Sequence, residues 1–234
     1  MDLQRYKFDN WLYTYDMERV GYYGTPVIQP NNIDVSKLQW SDFRQIGFSR
    51  KSKEELRQTG VHFFIQDYRF NCVYSQLLRY ADVVLPLGAV CSPDFSEYTD
   101  YPNALNIWSH YRKHVVAAFW QRRGVSVIPT ICWTDPSSFN WCFDGEPEDS
   151  TVAVAFMIKE HQKQERANFK AGFDEMMRRL RPRQILWYGE HFEECEGPIF
   201  EIPSFCAQRW RKKESEHTDI KPFKAEPDKE KPLN

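Results

Sequence analysis

Short, continuously apolar runs alternate along the chain with longer segments whose apolar positions recur every three or four residues. The runs are "TPVIQP" near Val27, "RQIGFS" near Ile46, "VHFFIQD" from Val61, "DVVLPLG" from Asp82, "VSVIPTICW" from Val125, "TVAVAFM" from Thr151, "QILWYG" from Gln184 and "IFEIPSF" from Ile199. Most are apolar at successive positions, so they read as strands covered on both faces, as in parallel sheets. The helices between them have legible ends. Ser52 and Glu55 form a capping box for "KEELRQ", and Gly60 stops it. Pro102 stands where a first helical residue belongs, and Leu105, Trp108, Tyr111, Val115 and Phe119 follow at helical spacing until Gly124. Phe169, Phe173, Met176 and Leu180 mark one face of a third helix, ended by Pro182.

Strand, helix and strand in repetition predict an α/β fold with right-handed crossovers and a parallel sheet. Eight candidate strands point to an abbreviated (β/α)8 barrel-like fold, shorter than the roughly 250 residues usual for that architecture. The connections after "TPVIQP" and "QILWYG" leave little room for a full helix, so an open doubly wound parallel sheet is the alternative. The expected organisation is an aromatic N-terminal arm over 1–24, a single α/β domain over 25–208, and a charged, proline-bearing tail over 209–234 that should be disordered.

Composition narrows the function classes. The chain has 234 residues, 41% of them hydrophobic and 16% aromatic, which is ample for a core. With 31 basic and 33 acidic residues the net charge is −2, so no global field draws in nucleic acid or an anionic membrane. No stretch approaches the roughly 20 apolar residues of a membrane span. The opening "MDLQRYKFDNW" lacks the pattern of a signal peptide, so a cytoplasmic location is expected, the host cytoplasm if a phage encodes the protein. Six cysteines without a Cys-x-x-Cys pair read as free, partly buried thiols.

In parallel α/β folds ligands bind at the carboxyl ends of the strands. That rule collects Gln66, Asp67, Tyr68 and Arg69; Ser92, Asp94, Ser96 and Tyr98; Trp133, Thr134 and Asp135; and Tyr188, Glu190 and His191. In "VCSPDFSEY" Pro93 blocks ladder bonding and holds Ser92 extended, delivering Asp94 at a fixed angle past a strand end. Asp94 is either a working carboxylate or, with Ser96, a cap or turn former for the helix near Pro102. Asp67 and Arg69 stand two apart and, on an extended chain, point the same way, as a structural ion pair or a grip on a polar ligand. Adjacent Glu190 and His191 can act as acid and base or as metal ligands. His62, His110, His114 and His161 fall within elements and read as packing or surface residues. The long connection "TICWTDPSSFNWCFDGEPEDS" offers Trp133, Phe139, Trp141 and Phe143 as stacking faces beside Asp144, or as a plug for one end of a barrel. Arg178, Arg179, Arg181 and Arg183 cluster at a helix end, where the dipole favours cations and a phosphate contact is the sharper alternative. The Walker, Rossmann, zinc-protease and esterase motifs do not occur.

Taken in order, "VHFFIQDYRF", "PDFSEYTDYPNALNIW", "AAFWQRRGVSVIPTICW", "SFNWCFDG" and "QILWYG" resemble domain-of-unknown-function family 4417, carried largely by bacteria, phages and mobile elements. The resemblance runs from about Thr25 to Gly189 and implies a phage or mobile-element setting without supplying a mechanism. It singles out Asp67, Tyr68, Phe70, Pro93, Asp94, Ser96, Trp133, Phe143, Asp144 and Gly189. Where members often carry a second acidic residue before the aspartate of the strand-three motif, this chain has Gln66.

These features lead to a first expectation: an enzyme acting by hydrolysis or transfer on a sugar-, nucleoside- or nucleotide-like substrate. Asp94 would be the principal acid/base or metal ligand, with Asp67 and Glu190 in support. Arg69, Ser96, Tyr98, Trp133 and Asp144 would hold the substrate, and a divalent metal such as Mg or Mn is compatible with the oxygen ligands. The alternative is an accessory factor without catalysis that contacts nucleic acid or a host protein through the arginines and the aromatic loop.

Overall fold

The strand-like runs resolve into parallel strands laid side by side in chain order. The computed structural model describes residues 10–46, 51–156 and 163–204. One sheet has the order β3 (Gln39–Asp42), β4 (Thr59–His62), β5 (Ala89–Cys91) and β6 (Val127–Ile128), and a second has β7 (Thr151–Ala155), β8 (Gln184–Tyr188) and β9 (Ile199–Ile202). Every neighbouring pair in these two sheets is parallel, and a parallel bridge from Thr130 to Ala153 lies between β6 and β7. Neither sheet contains the reversal of strand order that marks a doubly wound sheet, and among the described residues no pairing joins β9 back to β3. A short antiparallel pair, β1 (Arg19–Val20) and β2 (Thr25–Pro26), precedes them.

Alternation along the strands assigns side chains to two faces. Val61, Val90 and Val127 turn outward to pack with Leu77, Ala81 and Val84 of α4 (Leu77–Val84) and with Val115, Val116, Phe119 and Trp120 of α5 (Asn103–Arg122). Val152, Val154, Ile185 and Trp187 likewise meet Phe173, Met176 and Leu180 of α6 (Lys163–Leu180). Residues of opposite parity, Ala89, Cys91, Ile128, Ala153, Leu186, Tyr188 and Ile202, form a third cluster that draws on both sheets and includes Val35 and Phe64. His62 joins this inner face, its ring 4.9 Å from that of Tyr188 and 5.3 Å from that of Phe64. The Phe64 backbone N–H donates to His62 Nδ1 at 3.3 Å, and burial pushes the imidazole down to about 4.

Several expectations shift in detail. The capping box of Ser52 and Glu55 is formed on both sides, opening α2 (Lys53–Arg57). Pro102 sits one position ahead of α5, at its N-cap. "DVVLPLG" begins in α4, and the strand starts afterwards at Ala89, because Leu77, Ala81 and Val84 share a helical face that a short apolar run does not distinguish from a strand. "RQIGFS" contributes a 3-10 turn, Phe43–Gln45, its last residues lying outside the described ones, while polar "QWSD" supplies edge strand β3. In the arm, Arg19 donates to the carbonyls of Thr14 and Gly24 and to the Tyr111 hydroxyl, and its guanidinium stacks over Trp11. Residues 1–9, His161 and the tail over 209–234 lie outside the described residues. Among those described, five cysteines are free and no helix is long and apolar enough to cross a membrane.

Candidate functional site

The stretch after β5 is where hydroxyls replace ladder bonds. Pro93 has no N–H to give, and Ser92 extends the β5–β6 register through its side chain: its hydroxyl accepts from the Thr130 N–H at 2.7 Å, and its carbonyl accepts from the Thr130 hydroxyl at 2.7 Å. Asp94 follows and accepts the Cys132 thiol at 3.1 Å. Asn106 of α5 closes the loop by bonding both the N–H and the carbonyl of Tyr98. Between these anchors the chain turns Glu97 inward. Both of its carboxylate oxygens are buried and have no protein partner.

Beneath this loop the stretch of α5 before Val115 buries polar side chains where a helix of an α/β layer would ordinarily bury hydrocarbon. Lys113, 1% exposed, donates to the Thr130 carbonyl at 2.8 Å and pairs with Glu146 Oε1 at 2.9 Å. His114 places Nε2 2.9 Å from the same Oε1 and Nδ1 2.8 Å from the Pro26 carbonyl. His110 stacks near it, ring centres 4.3 Å apart, with Nε2 3.1 Å from the Asp144 carbonyl and Nδ1 buried without a partner. Gly145 makes the close approach of this loop possible. Its φ is +77°, and a Cβ there would stand 2.7 Å from the Pro26 carbonyl and 3.0 Å from His114 Nδ1.

The electrostatics follow from that burial. Burial pushes the Asp94 carboxyl up to about 6, with the Asp67 charge adding to it and the Cys132 thiol and Lys113 opposing. Burial pushes Glu97 up to about 8, against Lys113 and with help from the Asp94 and Glu146 carboxylates. For Glu146 burial would raise the carboxyl, but Lys113 and His114 outweigh it and hold it below the usual range. Burial likewise keeps the Cys132 and Cys91 thiols protonated, each reinforced by Asp94, so neither is poised as a thiolate nucleophile.

On the outer side of the loop, Ser96 donates its N–H and its hydroxyl, the latter at 2.7 Å, to the Asp67 carboxylate. Arg112, stacked over Phe95, faces the same carboxylate at 3.6 Å. Asp67 and Arg69 belong to a 3-10 turn (Asp67–Arg69) and do not pair as the extended reading expected. Arg69 instead bonds Gln66 and stacks over Tyr68. Tyr98, Tyr101, Leu105 and Trp108 form an exposed apolar rim at the start of α5.

The sequence profile of a family described as Domain of unknown function (DUF4417) matches residues 17–205. The chain belongs to that family. It is similar to the Gene 1 protein of Mycobacterium phage L5, 34% identical over 207 residues that make up 87% of this chain and 88% of the phage protein. It is similar also to the Gene 1 protein of Mycobacterium phage D29, 40% identical over 152 residues, 64% of this chain and 56% of that relative. This chain thus spans little more than half the length of the D29 protein it matches. No solved structure matches.

Every residue of the buried centre lies within the DUF4417 match. Of the positions expected from sequence, Asp67, Asp94, Ser96 and Tyr98 come together at the loop after β5. Glu190 is exposed after β8, next to the bonded pair of His191 and Glu201. No contact joins it to Asp94 among the described residues. The Trp133 ring packs on Phe169, at 4.9 Å, and over Gly172, where a Cβ would stand 2.2 Å from its indole nitrogen. Asp144 is half-buried and contributes its carbonyl to His110. Glu97, Lys113, Glu146 and the two histidines were not singled out as functional from sequence. The signal present was His110 and His114 at i, i+4 with Lys113 between them.

Two other features of the DUF4417 fold bear on function. Arg178 and Arg179 are bonded to Glu175 and Arg181 to Glu148, so the helix-end cations are already paired. A surface cavity of about 690 Å³, lined in part by Asn31, Asn32, Gln121, Arg122 and Val125, lies at the amino end of β6. It sits at the opposite strand end from the buried carboxylates. The carboxyl ends of the strands are where α/β folds bind ligands.

Proposed function

We propose that the protein is a phage-encoded enzyme that uses a buried pair of carboxylates, Glu97 and Asp94, for acid/base hydrolysis or group transfer. The single observation that carries this is the Glu97 carboxylate, buried without a partner in the same interior as Asp94, Glu146 and Lys113. An unpaired buried carboxyl costs stability, and such groups concentrate where chemistry needs them. With one carboxyl near 8 and its neighbour near 6, Glu97 is the proton donor at neutral pH and Asp94 the base. Asp67, held by Ser96 and Arg112, positions the loop that carries both. The parallel strands in chain order around a shared inner cluster fit an open, abbreviated (β/α) barrel with this centre at its carboxyl rim.

Tyr98, Tyr101 and Trp108 stand exposed beside that rim, with Arg69 and Tyr68 on the neighbouring turn. Flat apolar faces next to carboxylates suit a sugar, nucleoside or nucleotide-like substrate, and that is the class we assign. The same exposed patch favours a second reading, a docking surface for a host protein. A panel of glycosides, nucleosides and nucleotides, assayed for turnover and thermal shift, tests the enzyme. Wild type should turn over at least one class, and Glu97→Gln, isosteric and folded, should lose turnover by on the order of 100-fold or more. Equal turnover in the variant, or none with wild type across the panel, removes this assignment.

A further inference from the structure

We propose that His110, His114 and Glu146 form a binding site for a divalent transition-metal ion of the zinc class, a role that stands whether or not Glu97 and Asp94 do chemistry. One ligand atom from each of the three lies within 4.8 Å of the other two, and all three residues are buried. The histidines are one helical turn apart on α5, so both rings leave the same face of the helix. Glu146 comes from the loop that Gly145 lets pass close beneath them.

The far ring nitrogens are held as they are in metal sites. A metal-binding histidine donates its other ring N–H, very often to a backbone carbonyl, which fixes the tautomer and aims the free lone pair at the ion. Both histidines do this: His110 Nε2 faces the Asp144 carbonyl, and His114 Nδ1 faces the Pro26 carbonyl. Those contacts keep a proton on His110 Nε2 and on His114 Nδ1, so the nitrogens that face the ion are His110 Nδ1 and His114 Nε2.

Two buried atoms without a protein partner belong to this set, His110 Nδ1 and Glu146 Oε2. His114 Nε2 stands 2.9 Å from a carboxylate oxygen, so a positive centre is shared between them: a ring proton in the metal-free protein, or the ion that displaces it. Lys113 occupies Oε1, so the ion takes Oε2, and the carboxylate bridges ammonium and metal. Ligand atoms about 2.1 Å from a common ion stand about 3.4 Å apart in a tetrahedron, and small side-chain adjustments close the observed span to that. Charge points the same way: the Glu146 and Asp94 carboxylates face a single ammonium, Lys113, and a cation offsets the excess. Two imidazoles and one carboxylate form the donor set of open zinc sites, whereas magnesium takes oxygen donors.

The full chain, stripped with chelator and reloaded with Zn²⁺ or Co²⁺, provides the test. About one equivalent of Zn²⁺ per chain should survive gel filtration, and the melting temperature should rise on loading. The Co²⁺ form should show the intense visible absorption of a four-coordinate site. His110→Asn and His114→Asn should weaken retention by on the order of 100-fold, while Glu97→Gln, outside the ligand set, retains the metal. Should the histidine variants not fold, the Co²⁺ spectrum of wild type decides. Wild type that keeps less than about a tenth of an equivalent with an unmoved melting point, or a folded histidine variant that binds like wild type, overturns the site. An octahedral, weak Co²⁺ spectrum does so as well.

Discussion

The two longest helices, α5 with 20 residues and α6 with 18, cover the same kind of parallel strands and are built on opposite principles. Helix α6 is amphipathic in the ordinary sense: Phe173, Met176 and Leu180 face Trp187 and Ile185, while Lys170, Arg178 and their acidic partners line the solvent side. Helix α5 is buried on more than one side. Its last turns, from Val115 to Trp120, pack as hydrocarbon, but the stretch before them sinks Asn106, Ser109, His110, Lys113 and His114 into the interior. The α6 face lowers the free energy of folding by removing apolar area from water. The α5 face does so much less, because each buried charge gives up hydration that its partner only partly returns. A fold that already has one efficient helix layer gains little stability from an inefficient one, and that contrast sets the polar stretch of α5 apart from ordinary packing.

The contrast can be broken or sharpened by substitution. The largest effects fall on the two interiors. Phe173→Ala should cost about 3–5 kcal/mol by opening a cavity, and no second substitution nearby should restore it. Lys113→Met should cost a similar ~3–5 kcal/mol by taking the buried ammonium from Glu146 and leaving only His114 beside it, but Lys113→Met with Glu146→Gln should recover most of that loss. Urea denaturation in chelator measures both, and an unrescued double variant would show the α5 centre to be ordinary packing.

Next comes Glu97. Its folded carboxyl lies near 8, above the unfolded value of 4.5, so the native state holds a proton that the unfolded chain releases. Stability therefore falls as pH rises from about 4.5 through 8. Glu97→Gln should abolish that decline and be more stable than wild type at pH 8, by on the order of a few kcal/mol. A variant less stable than wild type at pH 8 would assign Glu97 a structural role.

His62 shows the opposite slope. Burial holds it near 4 in the native state against 6.5 unfolded, so its contribution is intact above pH 6.5 and is lost as pH falls towards 4, on the order of 3 kcal/mol in all. Denaturant midpoints followed from pH 7 to 4 should flatten in His62→Gln. The smallest effect belongs to the solvent face of α6, where Arg178→Ala should change stability by no more than about 0.5 kcal/mol, screened further by salt. A larger loss there would erase the distinction between the faces.

Much of the frame is readable from residue order. The capping box at Ser52 and the runs that become β7 and β8 need no tertiary information, because caps and doubly buried strands are local signatures. β3 is not readable, since "QWSD" at a sheet edge carries little apolar signal, and "DVVLPLG" misleads because helix and strand share short apolar runs. The outer part of the site, Asp67 with Ser96 and Asp94, is reachable from the rule about strand ends. The inner part is not. Lysine and glutamate are so seldom buried that nothing in their identity announces Lys113, Glu97 or Glu146 as interior. Their environment is set by Pro26, 88 positions from His114, and by a loop 32 positions beyond it.

Those separations set the order of events on the ribosome. Because strands β3 to β6 pair in chain order, each finds a neighbour already synthesised, and the first sheet with its α5 cover can take shape before the second is translated. Lys113 and His114 nevertheless lack the carboxylate they bond directly until Glu146 has left the exit tunnel. The nascent first half therefore carries a buried-to-be ammonium with no bonded carboxylate, and the loop at Gly145 is what supplies it.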